Sequence, residues 1–77
     1  MYEYNICNQA DEEIFNKQCE ALEKYIPDLK KGNLLSNIDG SKIQIYFLHS
    51  KKITVHNSFY IGAVFVQSEA DIRKYFN

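Results

Sequence analysis

Several features that mark other protein classes are scarce or missing in this chain. It has no tryptophan, one proline and three glycines among 77 residues, which excludes collagen-like and low-complexity proteins. The longest apolar run, residues 59–66, is too short to span a bilayer. Residues 1–6 include an early acid and lack the basic-then-apolar order of a secretory signal. We therefore expect a cytosolic protein that does not enter a membrane.

Cysteine is scarce as well. The two cysteines, Cys7 and Cys19, are too few for the disulfide framework of a small secreted protein, and their separation matches no zinc-binding motif. The chain has no phosphate loop, nucleophile elbow or paired-carboxylate site. We expect reduced thiols, no metal, no cofactor and no catalytic residue.

Charge is nearly balanced, with a formal net charge of −1. Domains that bind nucleic acid through bulk charge carry a clear basic excess, so this balance argues against that class. The two signs are nevertheless separated along the chain. Residues 1–28 hold seven acids and two bases, and residues 29–77 hold three acids and seven bases. This separation predicts either two electrostatically distinct faces or self-complementary packing.

A hydrophobic content of 45% is sufficient for one core, and we expect residues 1–77 to form a single compact domain. Alternation over residues 2–6 predicts a short strand. An amphipathic helix is predicted over about residues 10–26, with Asn8 as its N-cap and Pro27 as its end. Its apolar stripe is Phe15, Cys19, Leu22 and Ile26. One further helical turn is expected between this helix and Gly32.

Beyond Gly32 the apolar pattern changes to the alternation of β-strands. Asp39–Gly40 is a strong hairpin signal, and a two-residue loop there pairs Ile38 with Ser41. This register places Ile38 on the same face as the isoleucines of the next strand.

Further turns are predicted at residues 49–52 and 57–58, followed by a last apolar strand over residues 59–66. A capping box at Ser68–Asp71 predicts a short C-terminal helix. The fold class is thus α+β: one long helix on a four- to five-stranded antiparallel meander, in the order β-α-β-β-β-β-α. This order resembles the cystatin/monellin layout, without the inhibitory hairpin and glycine signatures of cystatins, so no function is carried over.

Side-chain parity predicts which face of the sheet contacts the helix. The expected core face carries Ile43, Ile45, Phe47, Ile53, Val55, Ile61, Ala63 and Phe65. The expected reverse face carries Tyr46, Leu48, Thr54, His56, Tyr60, Val64 and Val66. An apolar face rich in tyrosine that a short chain leaves uncovered indicates a partner. The alternative is that the C-terminal helix covers it.

These features favour a small protein-binding module without catalysis, of the inhibitor type found among immunity proteins, antitoxins and phage-encoded inhibitors of host defence. The partner is another protein or a second copy in a homodimer, and the expected contact residues are Tyr46, Leu48, Tyr60, Val64 and Val66. Two alternatives stay open: a small nucleic-acid-binding module, and a ribonuclease-type toxin. Both would use the basic turn formed by His49, Lys51, Lys52 and His56.

Overall fold

The computed structural model describes residues 1–76 as one α-helix and five β-strands that share a hydrophobic core. In chain order the elements are β1 (Tyr2–Cys7), α1 (Glu12–Tyr25), β2 (Lys30–Ser36), β3 (Lys42–Leu48), β4 (Lys51–Ser58) and β5 (Ala63–Ser68), followed by a 3-10 turn at Arg73–Tyr75. The strands form one antiparallel sheet in the order β1-β5-β4-β3-β2. The predicted α+β class is confirmed. Because β1 and β2 are the two edges, α1 connects one edge of the sheet to the other.

Helix α1 begins at a different cap from the predicted one. The Asp11 side chain, rather than that of Asn8, accepts the backbone N–H of Ile14 at 3.1 Å. At the other end the Ile26 N–H donates to the carbonyl of Leu22 at 3.0 Å, and the proline that follows ends the helix as predicted. The chain then reverses at Asp28, whose φ is 64°, and continues into β2 instead of the predicted extra turn.

The β2–β3 hairpin lies where the sequence predicts it, but its register differs by one residue. Ser36 pairs with Lys42, and a hydrogen bond of 2.9 Å from the Asn37 N–H to the Ser41 carbonyl closes a three-residue loop. Gly40 ends that loop with a φ of 92°, a backbone conformation that glycine adopts readily. A one-residue slip moves each following side chain to the opposite face, which changes the assignment of β3.

The β3–β4 connection is shorter than predicted. Leu48 pairs with Lys51, so only His49 and Ser50 form the loop, with φ values of 49° and 71°. Two consecutive positive φ angles are the signature of a type I′ turn. The predicted turn at residues 57–58 is instead the end of β4.

The next loop lies further along the chain, between Ser58 and Ala63. The backbone N–H of Gly62 donates to the Ser58 carbonyl at 2.8 Å and closes this loop. The predicted strand over residues 59–66 is therefore a four-residue loop followed by β5.

One side of the sheet packs against α1 and is buried. The buried residues of the helix and its cap are Phe15, Cys19, Leu22 and Ile26. The buried strand residues are Gln44, Tyr46, Ile53, Val55, Asn57, Val64, Val66 and Ser68. The prediction of the core face is thus right for Ile53 and Val55.

For β3 and β5 the predicted faces are reversed. Tyr46, Val64 and Val66 are fully buried under α1, and Leu48 is half-buried against the same core. In β3 the reversal follows from the hairpin register. In β5 both faces are apolar, so periodicity alone does not decide between them. These four residues therefore do not belong to an exposed binding face.

The C-terminal segment lies on the helix side of the sheet, so it does not cover the other face. Ile72 is fully buried in the core, and its N–H donates to the Tyr4 hydroxyl at 3.1 Å. The Ser68 hydroxyl closes a local turn by accepting the Ala70 N–H at 3.1 Å. Because this anchoring holds the segment against β1, the predicted C-terminal helix is reduced to one 3-10 turn.

We predict that Leu22→Asp unfolds the protein. Leu22 is 1% exposed. The free-energy cost of burying an unpaired carboxylate at this position exceeds the roughly 3–5 kcal/mol of stability that a core of this size supplies. Circular dichroism during thermal unfolding measures the effect. Asn16→Asp, on the exposed side of the same helix, is the matched control and should unfold near the wild-type temperature. A stable Leu22→Asp would contradict the observed helix orientation.

A second prediction concerns the type I′ turn. Ser50→Gly should stabilise the fold by about 0.5–1 kcal/mol, because glycine adopts positive φ without the strain of a β-carbon. The expected rise in Tm is roughly 2–8 °C for a chain of this length. Ser50→Ala keeps the strain and should give no rise. Equal Tm values for the glycine and alanine variants would argue against this turn type.

Candidate functional site

The side of the sheet away from α1 is called here the open face. Its strand residues, from the pairing register, are Glu3, Asn5, Lys30, Leu35, Ile43, Ile45, Phe47, Lys52, Thr54, His56, Ser58, Ala63, Phe65 and Gln67. Leu35 and Phe47 are 49% and 41% exposed, and the other large apolar residues are half-buried. The residues predicted to form the core in β3 and β5 therefore form an apolar surface instead.

His56 lies at the centre of the open face. Its ring stacks on Phe65 with a centroid distance of 4.5 Å and an interplanar angle of 6°, and Nε2 is 2.8 Å from the Thr54 hydroxyl oxygen. Partial burial lowers the pKa of His56, and the negative charge of Glu3 opposes that effect in part. The predicted position of Thr54 and His56 on the face away from the helix is correct.

A shallow depression of about 250 Å³ lies beside His56 on the open face. Its apolar wall is formed by Leu35, Ile43 and Ile45 from β2 and β3. Lys52 and Glu69 lie at its rim, where the Glu69 carboxylate accepts the Lys52 backbone N–H at 2.6 Å. The depression is slightly smaller than the roughly 300 Å³ of the smallest usual ligand pockets.

A second exposed apolar group lies at one end of the sheet, on the two loops that precede β3 and β5. We call it the loop tips: Ile38, Phe59, Tyr60 and Ile61. Ile38 and Tyr60 are almost fully exposed, and Phe59 and Ile61 are 52% and 64% exposed. A hydrogen bond of 2.9 Å from the Phe59 N–H to the Ser41 hydroxyl joins the two loops. The two loops therefore adjoin. The Phe59 ring lies beside Gly40, whereas Tyr60 and Ile61 line a groove on the side of the open face.

Acidic residues surround the loop tips. Glu12, in the first turn of α1, shares a depression with Phe59 and forms an ion pair with Lys42. Asp39 and Tyr60 line a neighbouring groove. The start of α1 is at this end because Asn57, at the end of β4, accepts the Asp11 backbone N–H at 3.0 Å. The acids of residues 1–28 and the bases of residues 29–77 are partly paired in the fold, through Glu12 with Lys42 and Glu23 with Lys31. The charge separation seen in the sequence is therefore, at these pairs, self-complementary packing.

Among the predicted contact residues, only Tyr60 is strongly exposed, at 94%. The residues of the predicted basic turn are not brought together. Lys51 and Lys52 are consecutive in β4, so their side chains point to opposite faces of the sheet. His56 lies four residues beyond Lys52, about 13 Å along the strand. His49 is in the turn, so the four groups do not converge on one point.

Sequence reasoning missed the apolar open face and the loop tips. A two-residue turn at His49–Ser50 places Tyr46 opposite Ile53, and this would have predicted Tyr46 on the core side. A three-residue loop that ends at Gly40, in place of the predicted two-residue loop, would also have placed Tyr46 on the core side of β3. At His49–Ser50 the residues with positive φ are not glycines, which conceals the turn type, whereas Gly40 is compatible with both a two-residue and a three-residue loop.

Two observations on the described residues concern metal binding and thiol reactivity. Within residues 1–76, no group of three or more His, Cys, Asp or Glu side chains is arranged to hold a metal ion. Burial raises the pKa of the Cys19 thiol, which makes it a poor nucleophile. In the same part of the chain, no helix has the length and apolar character needed to cross a bilayer.

Comparison with protein-family models, with curated proteins and with solved structures finds no match for this chain.

His56 gives a testable pH dependence. Because its pKa is lowered in the folded state, the unfolded chain binds a proton more readily, and the free energy of unfolding should decrease as the pH falls below about 6.5. Imidazole NMR signals followed between pH 8 and pH 5 measure the titration directly. His49→Asn assigns the signals and should leave the titration of His56 unchanged. A His56 pKa at or above the ordinary histidine value would contradict the effect of burial.

Proposed function

We propose that this chain is a small protein-binding module of the inhibitor type, without catalysis, that engages its partner through the loop tips. The observation that carries the proposal is the exposure of four large apolar side chains on two adjoining loops. Single exposed apolar residues are ordinary, but four large ones on two adjoining loops at one end of a small protein are typical of an interaction site.

The energetics of the loop tips favour a partner. Tyr60 and Ile38 are 94% and 108% exposed, so they contribute almost nothing to the core. Burying one such side chain in a partner gains roughly 1.5–3 kcal/mol. A tyrosine flanked by apolar residues, as Tyr60 is by Phe59 and Ile61, is also a common anchor in protein interfaces, since it buries a large area and loses few rotamers.

The charge around the loop tips indicates the chemistry of the partner. Glu12 and Asp39 lie beside the apolar group, with Lys42 as the base paired to Glu12. A complementary protein would offer an apolar cleft with a basic rim. Occluding such a cleft is how an inhibitor acts on an enzyme whose substrate is negatively charged.

Tyr60→Glu tests the proposal. The substitution should leave the fold intact, because surface changes of this kind alter stability by about 0.5 kcal/mol or less. It should weaken partner binding by about 30-fold or more, since a charge would be buried in an apolar cleft. Affinity capture of the tagged protein from its source cells, with mass spectrometry, measures the retained partner, and circular dichroism verifies the fold.

Tyr25→Glu is the matched control, because Tyr25 is 54% exposed at the far end of α1. It should retain the same captured protein as the wild type. Equal capture by Tyr60→Glu and wild type would contradict a role for the loop tips. Salt-sensitive retention on heparin, with no protein captured, would favour the nucleic-acid-binding alternative instead.

A further inference from the structure

We propose that the open face is a dimer interface, and that it packs against the open face of a second copy of this chain about a two-fold axis parallel to the strands. This surface adjoins the loop tips, because Tyr60 and Ile61 line grooves that also include His56 and Phe65. The proposal goes beyond the function argued above because its occupant is a second copy of this chain. Three observations carry it: the composition of the face, its area and the arrangement of its charges.

The composition of the open face matches the centre and rim of an interface. Ile43, Ile45 and Phe65 occupy the middle three strands together with His56, whose ring is stacked and hydrogen-bonded. Among the charged strand residues of this face, Glu3 and Lys30 lie on the two edge strands, and Lys52 lies near the start of the central strand β4. Depletion of charge at the centre with polar residues at the rim is the usual pattern of protein interfaces.

The area of the open face fits a weak dimer. Five strands about 4.8 Å apart and about 20 Å long give a face of roughly 480 Å². That is about a tenth of the total accessible surface of 5122 Å², the share that a specific interface takes on a small protein. It is below the about 800 Å² per partner of a standard interface, so we expect a dissociation constant in the micromolar range.

The charges of the face are complementary under this symmetry. Glu3 is on the edge strand β1, and Lys30 is on the opposite edge strand β2. A two-fold axis along the strands places β1 of one copy over β2 of the other, so each Glu3 approaches the Lys30 of the second copy. Along the strand direction, Glu3 and Lys30 are offset by the spacing of two neighbouring side chains on one face. Their long side chains can span this offset. Lys52 lies near the axis, where it faces the Lys52 of the second copy, and the Glu69 carboxylate beside each lysine supplies the opposite charge.

The same axis places each half of the apolar centre of one copy against the other half in the second copy. Ile43 on β3 pairs with His56 from one side and forms part of the wall of the depression, and Phe65 on β5 pairs with His56 from the other side. Because the two-fold operation exchanges the two sides of β4, Phe65 of each copy lies over Ile43 of the other. Self-complementarity of this kind is what a symmetric dimer requires.

Neighbouring residues of β2 provide a matched test. Leu35 is on the open face and 49% exposed, and Leu34 is on the opposite face and 51% exposed. Sedimentation equilibrium of the wild type should show reversible dimerisation from the chain mass of 9.0 kDa. Leu35→Glu should raise the dissociation constant at least tenfold, whereas Leu34→Glu should change it less than twofold. Circular dichroism verifies that both variants fold.

A charge exchange tests the symmetry itself. Glu3→Lys and Lys30→Glu should each weaken the homodimer by about 3- to 10-fold at low salt, as two exposed ion pairs are lost. Mixing the two single variants should give a heterodimer that associates as tightly as the wild type, because opposite charges then meet at both borders. The double variant should also recover wild-type association.

A wild type that stays monomeric at about 0.5 mM overturns the dimer proposal. Dimerisation that survives Leu35→Glu but is lost in Leu34→Glu overturns the choice of face, and a mixture of single variants that does not associate overturns the axis. None of these outcomes affects capture of another protein by the loop tips. Conversely, a dimer that forms normally in Tyr60→Glu supports the open face whether or not the loop tips bind a partner.

Discussion

The register of the β2–β3 hairpin decides which side of this sheet is core and which is free. Gly40 ends a three-residue loop, and the pairing that results turns Tyr46 toward α1 and Ile43 away from it. A shift of one residue would exchange these roles along all of β3. The continuous apolar surface on the open face is a direct consequence of that choice.

The buried polar residues explain why this register is the stable one. Tyr46 donates its hydroxyl hydrogen to Glu23 at 2.6 Å, and the Gln44 amide donates to the carbonyl of Gly32 at 3.0 Å in the bulge of β2. Asn57 accepts the first backbone N–H before α1. These bonds fix both ends of the helix and one edge of the sheet. Turned to the open face, the same polar groups would lose these partners inside the fold, while Ile43 and Ile45 would fill the core without satisfying the bulge.

The sequence predicted the parts of the fold that local patterns determine. The stripe from Phe15 to Ile26 is strictly helical and faces the core as expected, and the alternation from Ile53 to His56 has a clear apolar side. The strands β3 and β5 are apolar on both sides, so their orientation depends on loop lengths that the sequence shows only weakly. The proposed binding surfaces could not be predicted for the same reason. Tyr60 was expected on an exposed surface and is exposed, but in a loop rather than in a strand.

The two proposed surfaces are connected by the geometry of the sheet. The loop tips lie at one end of the strands, and the proposed two-fold axis is parallel to the strands. In such a dimer the loop tips of both copies are at the same end and point in the same direction. A partner that offers two equivalent clefts would then be bound at both, and the second contact forms at a high effective concentration. Weak self-association through the open face would therefore strengthen capture through the loop tips without any additional contact to the partner.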